Sequence, residues 1–520
     1  MSDARGGRGA TIIGAGILLS RLVGLLRQTA FAHFLGAGAA ADAYNVAFRI
    51  PNALRNLLGE GTLTASFVPV YSRLLAGGDE KDARTMANAV LGVLLLVTSV
   101  LTLGGMAAAP HLTAVLAPGF TGASAELTTR LTRILFPMTG LMVLSGWCLG
   151  VQNAHRRFFW SYASAALWSV AQIALLVVGG PRASDAVTLA QWLAWATLVG
   201  ALLQITAQLP DVLALVGLPR PSLAWRLPSV QQVLRNLAPV ITALGVVQLS
   251  SFVDLQIASY LPEGAPSVLA YAYALLLLPV SLFGVSVAAA ALPELARDSV
   301  QDTLEVLRER VRAGWQRILF YVIPSALVFM TLGDYCIALL YRGGQFGADT
   351  QRQVHVVLAA YAVGLVSYGS VKLLGSAFFA LQDYRTPLQA SIASLVASAA
   401  TAVAIAMPWR ESPFAAAGIA LGSALGSYVN LAVLAMGLRR RLGALYTPAM
   451  WVGTRRIVAA AIVATLVGAG VRLAQMTWWP LGSPRIIGLP ALAAYGATYL
   501  AVAWWMGSAE AARWLRRPPR

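Results

Sequence analysis

The sequence predicts an all-α polytopic membrane protein of about 14 transmembrane helices, arranged as two six-helix lobes around a central cavity with a C-terminal helix pair. Of its 520 residues, 58% are hydrophobic and only 11% are charged, whereas soluble domains contain about 25% charged residues. Apolar runs long enough to cross about 30 Å of hydrocarbon recur along the whole chain. Basic residues concentrate in every second connection between these runs, which is typical of a multi-pass protein.

The apolar runs define the predicted spans in chain order. They cover residues 11–35, 42–75, 86–109, 128–151, 158–180, 187–209, 232–260, 268–295, 313–341, 352–381, 386–407, 414–437, 455–475 and 486–508. The second and tenth are the least regular, because each contains charged residues or glycines within its apolar run.

Charge predicts the orientation of these spans. With the N-terminus inside, the cytoplasmic connections hold most of the basic residues, among them Lys81, Arg84, Arg156, Arg157, Arg220, Arg226, Arg439, Arg440 and Arg441. The positive-inside rule therefore predicts cytoplasmic N- and C-termini. The net charge of +17 indicates contact with anionic membrane lipids. Nucleic-acid binding is disfavoured, because the basic residues lie in short connections rather than in one patch.

An internal repeat predicts the domain organisation. Spans two and eight end in similar motifs centred on Pro69 and Pro293, and spans four and ten end in Gln152-Asn153 and Gln382-Asp383. The two pairs of motifs have nearly equal separations along the chain, which indicates two related lobes, a pattern that places a substrate path between repeats. The predicted domains are an N-terminal lobe (1–220), a C-terminal lobe (221–445) and an appended helix pair with a basic tail (446–520).

A polar stripe runs along the second predicted span. Its members recur at helical spacing within an arc of about 80°: Asp42, Asn45, Arg49, Asn52, Asn56 and Glu60. A charged side chain at the centre of a bilayer costs about 2.5–3.5 kcal/mol or more. The stripe therefore predicts a polar cavity and transport of a polar or anionic molecule. Pro51 predicts an interruption at the centre of the same span.

Arginines on the first two spans are the predicted ligand-binding groups, because planar guanidinium groups suit bidentate contacts with phosphate. The acids of the stripe are expected to neutralise them when the site is empty. The predicted substrate-binding and transport set is Arg21, Arg27, Asp42, Arg49, Asn52, Arg55 and Glu60. Outside this set, Asp254 is a candidate cation or ion-pair site, and Lys372 is a candidate cavity or inner-gate residue.

Motifs for catalysis, metal binding and cofactor binding are missing from the sequence. It contains no HExxH, Walker A or G-x-S-x-G pattern, so hydrolase and ATPase functions lack support. Its two cysteines, Cys148 and Cys336, lie in apolar helical segments and are interpreted as buried small residues. We therefore expect a transporter with no cofactor and no metal, and not an enzyme.

Short motifs along nearly the whole chain strongly resemble the MurJ (MviN) family of the multidrug/oligosaccharidyl-lipid/polysaccharide exporter superfamily. The motifs are Ser20-Arg21-Leu-Val-Gly24-Leu-Leu-Arg27, Asp42-Ala-Tyr44, Phe48-Arg49-Ile-Pro51-Asn52-Ala-Leu-Arg55, Glu60-Gly61-Thr62, Ser66-Phe67-Val68-Pro69, Arg342-Gly-Gly-Gln-Phe346 and Gln382-Asp383-Tyr-Arg-Thr386-Pro387. They are specific in combination.

This resemblance implies a flippase of the bacterial inner membrane. Its substrate would be lipid II, the undecaprenyl-pyrophosphate-linked disaccharide-pentapeptide precursor of peptidoglycan, moved from the cytoplasmic to the periplasmic leaflet. It implies cavity-lining roles for Arg21, Arg27, Asp42 and Arg55, a lipid-tail groove on the last two helices, and cell-wall synthesis proteins as possible partners. One departure is Ala274, which stands where the family commonly has an arginine.

Three other functions stay open from the sequence. One is export of another polyprenyl-pyrophosphate-linked glycan, which the same cationic residues would serve. A second is a cation-coupled drug antiporter, whose cavity should be acidic rather than basic. The third is a membrane scaffold for cell-wall synthesis, which would tolerate loss of the cavity arginines.

Overall fold

Apolar segments in a bilayer satisfy their backbone hydrogen bonds only within helices or closed barrels, and this chain uses helices. The computed structural model describes residues 2–285, 304–478, 483, 485–508 and 510–512. The predicted all-α class is confirmed for these residues. They divide into two compact units, Met1–Gly264 and Ala265–Arg520.

The first unit contains nine α-helices among its described residues. They are α1 (Ser2–Leu35), α2 (Ala39–Leu58), α3 (Glu60–Ala76), α4 (Glu80–Ala107), α5 (Ala109–Leu116), α6 (Gly122–Ala154), α7 (Phe158–Gly179), α8 (Ala186–Val216) and α9 (Pro228–Ser259). A short 3-10 helix, Gly180–Arg182, precedes α8.

The second unit also contains nine α-helices among its described residues. They are α10 (Ala265–Pro279), α11 (Leu304–Thr331), α12 (Gly333–Tyr341), α13 (Ala348–Val363), α14 (Leu365–Ala380), α15 (Arg385–Ala406), α16 (Ala416–Leu442), α17 (Pro448–Trp478) and α18 (Leu489–Trp505). A π-helical segment, Val280–Val285, continues α10.

The division between the units falls one helix later than the predicted boundary at residue 220. Helix α9 belongs to the first unit because it bonds to the segment that surrounds α5. The Gln256 side-chain Nε2 donates to the Val115 carbonyl at 2.7 Å, and the Gly119 backbone amide donates to the Ser259 hydroxyl at 3.0 Å. The first unit therefore includes the seventh predicted span.

Nine helices in the described part of the chain are long and apolar enough to cross a membrane, or ten spans if the bent pair α13 and α14 counts as one. The multi-pass class is confirmed, and the count of 14 stays a prediction. Helix α2 is not among the nine, and it carries Asp42, Arg49 and Arg55 within 20 residues. A helix with this many charged residues is therefore hard to recognise as a membrane span by apolarity alone.

The break in the second predicted span lies at Gly59 rather than at Pro51. Helix α2 continues through Pro51 and ends at Gly59, where φ is −95° and ψ is −139°. A Cβ atom at Gly59 would lie 2.4 Å from the Arg55 carbonyl oxygen, a separation that van der Waals radii forbid. The turn therefore requires glycine, and it directly follows the last turn of α2.

Helix boundaries support the predicted internal repeat. Helices α4 and α11 end at Ala107 and Thr331. Helix α6 spans 122–154, and α13 with α14 spans 348–380, so the same displacement along the chain relates both their starts and their ends. Nearly the same displacement relates α4 to α11. The related motif at 291–297 lies outside the described residues.

The residues that follow α6 and α14 show how the two halves of the repeat align. Arg156 and Gln382, with φ of 58° and 57°, are the two non-glycine residues with positive φ in the described chain. After them, the Arg157 amide donates to the Gln152 carbonyl at 2.8 Å, and the Asp383 amide donates to the Phe378 carbonyl at 2.9 Å. Asp383 therefore corresponds to Arg157, and the sequence pairing of Asp383 with Asn153 is wrong.

Both corresponding residues form ion pairs, but with opposite charge. The Arg157 guanidinium lies 3.9 Å from the Asp211 carboxylate at the end of α8. In the second unit, the Asp383 carboxylate accepts from Arg441 at the end of α16. In each unit, an ion pair thus joins the start of one helix to the end of the next. The positive residue is at the start in the first unit and at the end in the second.

Asp383 also caps the start of α15. Its carboxylate accepts from the Arg385 amide at 2.9 Å, from the Thr386 amide at 3.1 Å and from the Thr386 hydroxyl at 2.7 Å. Burial alone would raise the pKa of Asp383, but these hydrogen bonds and the charge of Arg441 outweigh it and lower the pKa. The ionised form is therefore favoured in the folded protein.

We expect Asp383→Asn to make the unfolding temperature of the protein less sensitive to acid pH. Because the folded pKa is lowered, the ionised carboxylate stabilises the protein above the unfolded pKa, and this contribution is lost as pH falls from about 5 through the folded pKa. Thermal unfolding of the purified protein across this range measures the effect. The wild type should lose more midpoint temperature than the variant, and equal losses would contradict the assignment.

The C-terminal pair, α17 and α18, packs on α11 in the second unit. Its apolar cluster includes Ile457, Tyr495 and Tyr499 against Phe320 of α11. Pro324 has no N–H, so the Phe320 carbonyl one turn earlier loses its helical donor. The Tyr499 hydroxyl donates to that carbonyl. The pair therefore supplies a hydrogen bond that α11 lacks.

Tyr499→Phe should lower the free energy of unfolding by about 1–3 kcal/mol, since it leaves a buried carbonyl without a donor. Tyr495→Phe is the matched control. The Tyr495 hydroxyl donates to the Pro324 carbonyl at 2.8 Å, which a helical N–H four residues later can also serve. Thermal unfolding in detergent should rank Tyr499→Phe as the more destabilising, and the reverse order would refute this role for Tyr499.

Candidate functional site

Helix α2 presents two faces that are about 130° apart at 100° per residue. Asp42 and Arg49 lie on one of them, and Tyr44, Phe48 and Arg55 lie on the other. Arg55 therefore lies outside the arc of the stripe, about 60° beyond Asn52.

Aromatic rings connect the Arg55 face of α2 to α1 and α7. Phe31 and Tyr44 have ring centroids 5.5 Å apart, Tyr44 and Phe48 stack at 6.1 Å, and Phe48 stacks on Trp168 at 6.0 Å. Tyr44 and Trp168 are buried. This row of rings fixes the three helices against one another at the level of Trp168.

Trp168 contacts the guanidinium groups of two predicted site residues. The Cζ atom of Arg27 lies 5.1 Å from the indole centroid, and the Cζ atom of Arg55 lies 5.6 Å from it. Each contact is a cation–π interaction of about 0.5–2 kcal/mol. The indole Nε1 donates to the Thr197 carbonyl at 3.2 Å, which fixes the orientation of the ring. One side chain thus holds two cations from separate helices close together.

A hydrogen-bond network supports the same group. The Tyr44 hydroxyl lies 2.8 Å from the Thr197 hydroxyl. The Gln172 carbonyl oxygen accepts from Tyr44 at 3.5 Å and from the Arg27 Nη1 at 3.4 Å. Gln172 also donates to the Trp168 carbonyl at 3.3 Å. Because Gln172 and Tyr44 are buried, these bonds fix the position of Arg27. We call Arg27, Arg55, Trp168, Tyr44 and Gln172 the arginine–tryptophan cluster.

The acids at the start of α2 hold a loop. Asp42 is only 2% exposed, and its carboxylate accepts from the Gly264 amide at 2.6 Å. Glu263 in the same loop accepts from the Ala39 amide at 2.7 Å. Gly264 has a φ of +96°, a conformation that favours glycine. Asp42 therefore anchors the end of the first unit to α2.

The remaining predicted residues occupy varied positions. Arg21 on α1 and Lys372 on α14 are exposed. The half-buried residues are Arg49 and Asn52 on α2, Asp254 on α9 and Ala274 on α10. The Arg49 Nε is buried and makes no hydrogen bond with the described residues. The side chain of Glu60 lies outside the described part of the structure. Among the predicted arginines, the structure brings Arg27 and Arg55 together on one ring.

Sequence reasoning missed the residues that organise this pair. Trp168 and Gln172 lie on α7, a helix with no charged residue between Phe158 and Gly179. The available signal was Gln172, a polar amide within an apolar span. Its burial indicates a polar partner, but the sequence does not show that the partner is Arg27.

Comparisons with known sequences agree on one family. The family model described as lipid II flippase MurJ matches residues 31–488. The chain is 32% identical to the lipid II flippase MurJ of Burkholderia cenocepacia, over 94% of this chain and 95% of that protein. It is 30% identical to the probable lipid II flippase MurJ of Rhizobium meliloti, over 96% of this chain and 93% of that protein.

Solved structures share the fold. A lipid II flippase MurJ in an inward closed conformation superposes with a TM-score of 0.78 at 20% identity, covering 95% of this chain and 98% of that one. An inward-facing multidrug resistance MATE family transporter of the MOP superfamily gives a TM-score of 0.68 at 17% identity, covering 82% and 95%. These likenesses confirm the predicted all-α, multi-pass fold.

Proposed function

The chain belongs to the lipid II flippase MurJ family, and on that premise we propose that it moves lipid II from the cytoplasmic to the periplasmic leaflet of the bacterial inner membrane. The proposed orientation places both termini in the cytoplasm, as the distribution of basic residues favours. A flippase transfers its lipid without changing it, so the proposal assigns transport and no catalytic step.

The arginine–tryptophan cluster is the observation that carries the proposal for this chain. Arg27 and Arg55 lie on one indole, at 5.1 and 5.6 Å from its centroid. A pyrophosphate diester carries two negative charges, one on each phosphate, and planar guanidinium groups bind phosphate oxygens in pairs. We propose that Arg27 and Arg55 bind the pyrophosphate of lipid II, with one arginine for each phosphate.

The rest of the predicted set completes this proposal. Arg21, Arg49 and Asn52 are proposed to contact the headgroup as it moves, and Asp42 and Glu60 to balance charge in the empty state. Transport is proposed to occur by alternating access, which many repeat-built transporters use. Asp254 and Lys372 remain proposed positions for ion coupling and for gating.

Export of another polyprenyl-pyrophosphate-linked glycan is the second candidate. It is favoured by the same observation, since the arginine pair would recognise the pyrophosphate that both substrates contain. A drug antiporter for cations is disfavoured, because two guanidinium groups would repel a cationic substrate.

Complementation tests the proposal. A bacterium depleted of its own lipid II flippase would express this chain, and an externally added enzyme that cleaves the lipid II headgroup would report how much lipid II reaches the periplasm. We expect restored growth and cleavage close to the level of undepleted cells. Growth with lipid II inaccessible from outside would refute the lipid II proposal and favour the scaffold. Failure of both growth and cleavage, with the protein correctly inserted, would favour another polyprenyl-linked glycan.

A further inference from the structure

An open cavity of about 610 Å³ lies between α5 and the first turns of α6 in the first unit. One part of its wall is apolar and the other is polar. The apolar part includes Pro110, Ala114, Ala117, Pro118 and Phe120, and the polar part is Thr113, Glu126, Thr129, Arg130 and Arg133. This cavity is separate from the arginine–tryptophan cluster, and neither the sequence motifs nor the proposed transport step uses it. We call it the α5–α6 pocket.

Two arginines give the pocket its charge. Arg130 and Arg133 are one helical turn apart on α6, and both are exposed. The Arg133 Nε donates to the Met106 carbonyl at the end of α4, at 3.4 Å, and Arg130 has no ion pair among the described residues. Glu126 lies one turn before Arg130. The pocket therefore presents two guanidinium groups and one carboxylate beside an apolar wall.

The corresponding junction in the second unit is filled, so the fold does not require this cavity. When the start of α6 is aligned with the start of α13, Thr129 corresponds to His355. His355 packs against Gly333, where an added Cβ would lie 3.0 Å from its ring. The Gln351 side-chain Nε2 donates to the Asp334 backbone carbonyl at 3.0 Å across the same junction. Thr129 is smaller than histidine and donates to the Thr113 hydroxyl of α5 at 3.2 Å, and the α5–α6 pocket lies beside this contact.

An exposed apolar stripe on α4 leads toward the pocket. Leu96, Val100 and Leu103 are 52%, 62% and 68% exposed and share one face of the helix. Leu103 lies one turn before Met106, which Arg133 contacts. Because α6 has 33 residues, its two ends are about 50 Å apart. The pocket therefore lies at the opposite membrane surface from the basic Arg156–Arg157 turn.

We propose that the α5–α6 pocket binds the headgroup of an anionic phospholipid, phosphatidylglycerol, in the periplasmic leaflet. Arg130 and Arg133 bind the phosphodiester, and the Glu126 carboxylate accepts hydrogen bonds from the glycerol hydroxyls of the headgroup. An acyl chain lies along the stripe of Leu96, Val100 and Leu103. The arginines, the acid and the apolar stripe each match one part of this lipid. The inference holds whichever lipid-linked substrate the protein transports.

Hydrogen–deuterium exchange of the full chain tests this site. The protein is placed in phosphatidylcholine nanodiscs with and without phosphatidylglycerol, and peptides from 106–135 are followed by mass spectrometry. Phosphatidylglycerol should slow exchange in these peptides. The double variant Arg130→Gln with Arg133→Gln should need more phosphatidylglycerol for the same protection, by about fivefold for each arginine removed. Both side chains are exposed, and an unchanged unfolding temperature would show that the variant is folded.

Arg182→Gln is the matched control, because Arg182 is exposed in a connection predicted on the same membrane surface. It should keep the full protection of the wild type. Equal protection in the double variant, or no effect of phosphatidylglycerol on residues 106–135, would overturn the proposal. Protection by inorganic phosphate in phosphatidylcholine alone would also overturn it, since the pocket would then bind small anions and not a lipid.

Discussion

Arg55→Ala is expected to abolish growth of cells that depend on this chain as their only lipid II flippase, while the protein still inserts in the membrane. Removing one of the two guanidinium groups proposed to bind the pyrophosphate would eliminate charge-assisted hydrogen bonds of about 1.5–3 kcal/mol, a loss of roughly 10- to 100-fold in transport. Cleavage of periplasmic lipid II by an external enzyme measures the loss. Arg55→Lys should recover only part of it, because lysine keeps the charge without the planar donor pair.

Two variants show whether this effect arises in the arginine–tryptophan cluster. Arg73→Ala removes an exposed arginine from the last turn of α3 and should transport at the wild-type rate. Trp168→Phe keeps an aromatic ring beside both arginines but loses the indole Nε1 bond to the Thr197 carbonyl, so transport should fall to an intermediate level. Wild-type transport by Arg55→Ala would refute the pyrophosphate site.

Gly422→Ala should strongly destabilise the second unit. Glycines at 418, 422 and 426 form one face of α16, and a Cβ atom at Gly422 would lie 2.7 Å from the Ala402 amide nitrogen and 2.8 Å from the Ser398 carbonyl oxygen of α15. The two helices must separate to accept the methyl group. Overpacking of this kind costs about 1–3 kcal/mol, occasionally more, and close approach at small residues is a main source of helix association in membranes.

The same substitution at Gly375 provides a control with the opposite sign. A Cβ atom there has no neighbour within 4 Å, and alanine is favoured over glycine in a helix by about 0.8–1 kcal/mol. Thermal unfolding in detergent should therefore show a lower midpoint for Gly422→Ala and an equal or higher one for Gly375→Ala. If both variants shifted in the same direction, the contact between α15 and α16 would not be the cause.

The helical class and the presence of arginines within the apolar spans were predictable because both follow from local sequence. Apolar runs show where helices lie, and an arginine such as Arg55 within one of them indicates function. Helical periodicity shows which residues share a face, but not which helix that face meets. The contact of Arg27 and Arg55 with Trp168 was therefore not predictable, since it depends on the packing of three helices.

Local backbone chemistry explains two other differences. Pro51 indicated an interruption, yet α2 continues through Pro51 and ends at Gly59, where an added Cβ would lie 2.4 Å from the Arg55 carbonyl oxygen. In the repeat, residue identity suggested an alignment of Gln152 with Gln382, but the positions with positive φ align Arg156 with Gln382. Residue identity was misleading there because the next pair of aligned residues, Arg157 and Asp383, carry opposite charges.

That exchange of charges also bears on how the chain assembles in the membrane. Because the two halves are built from one repeat, each helix has two similar helices with which it could pair. An incorrect pairing would place α7 beside α16. Arg157 would then meet Arg441, and Asp383 would meet Asp211 in the complementary error. The ion pairs Arg157–Asp211 and Asp383–Arg441 each join residues of one half, whereas both mismatched pairings would bring like charges together.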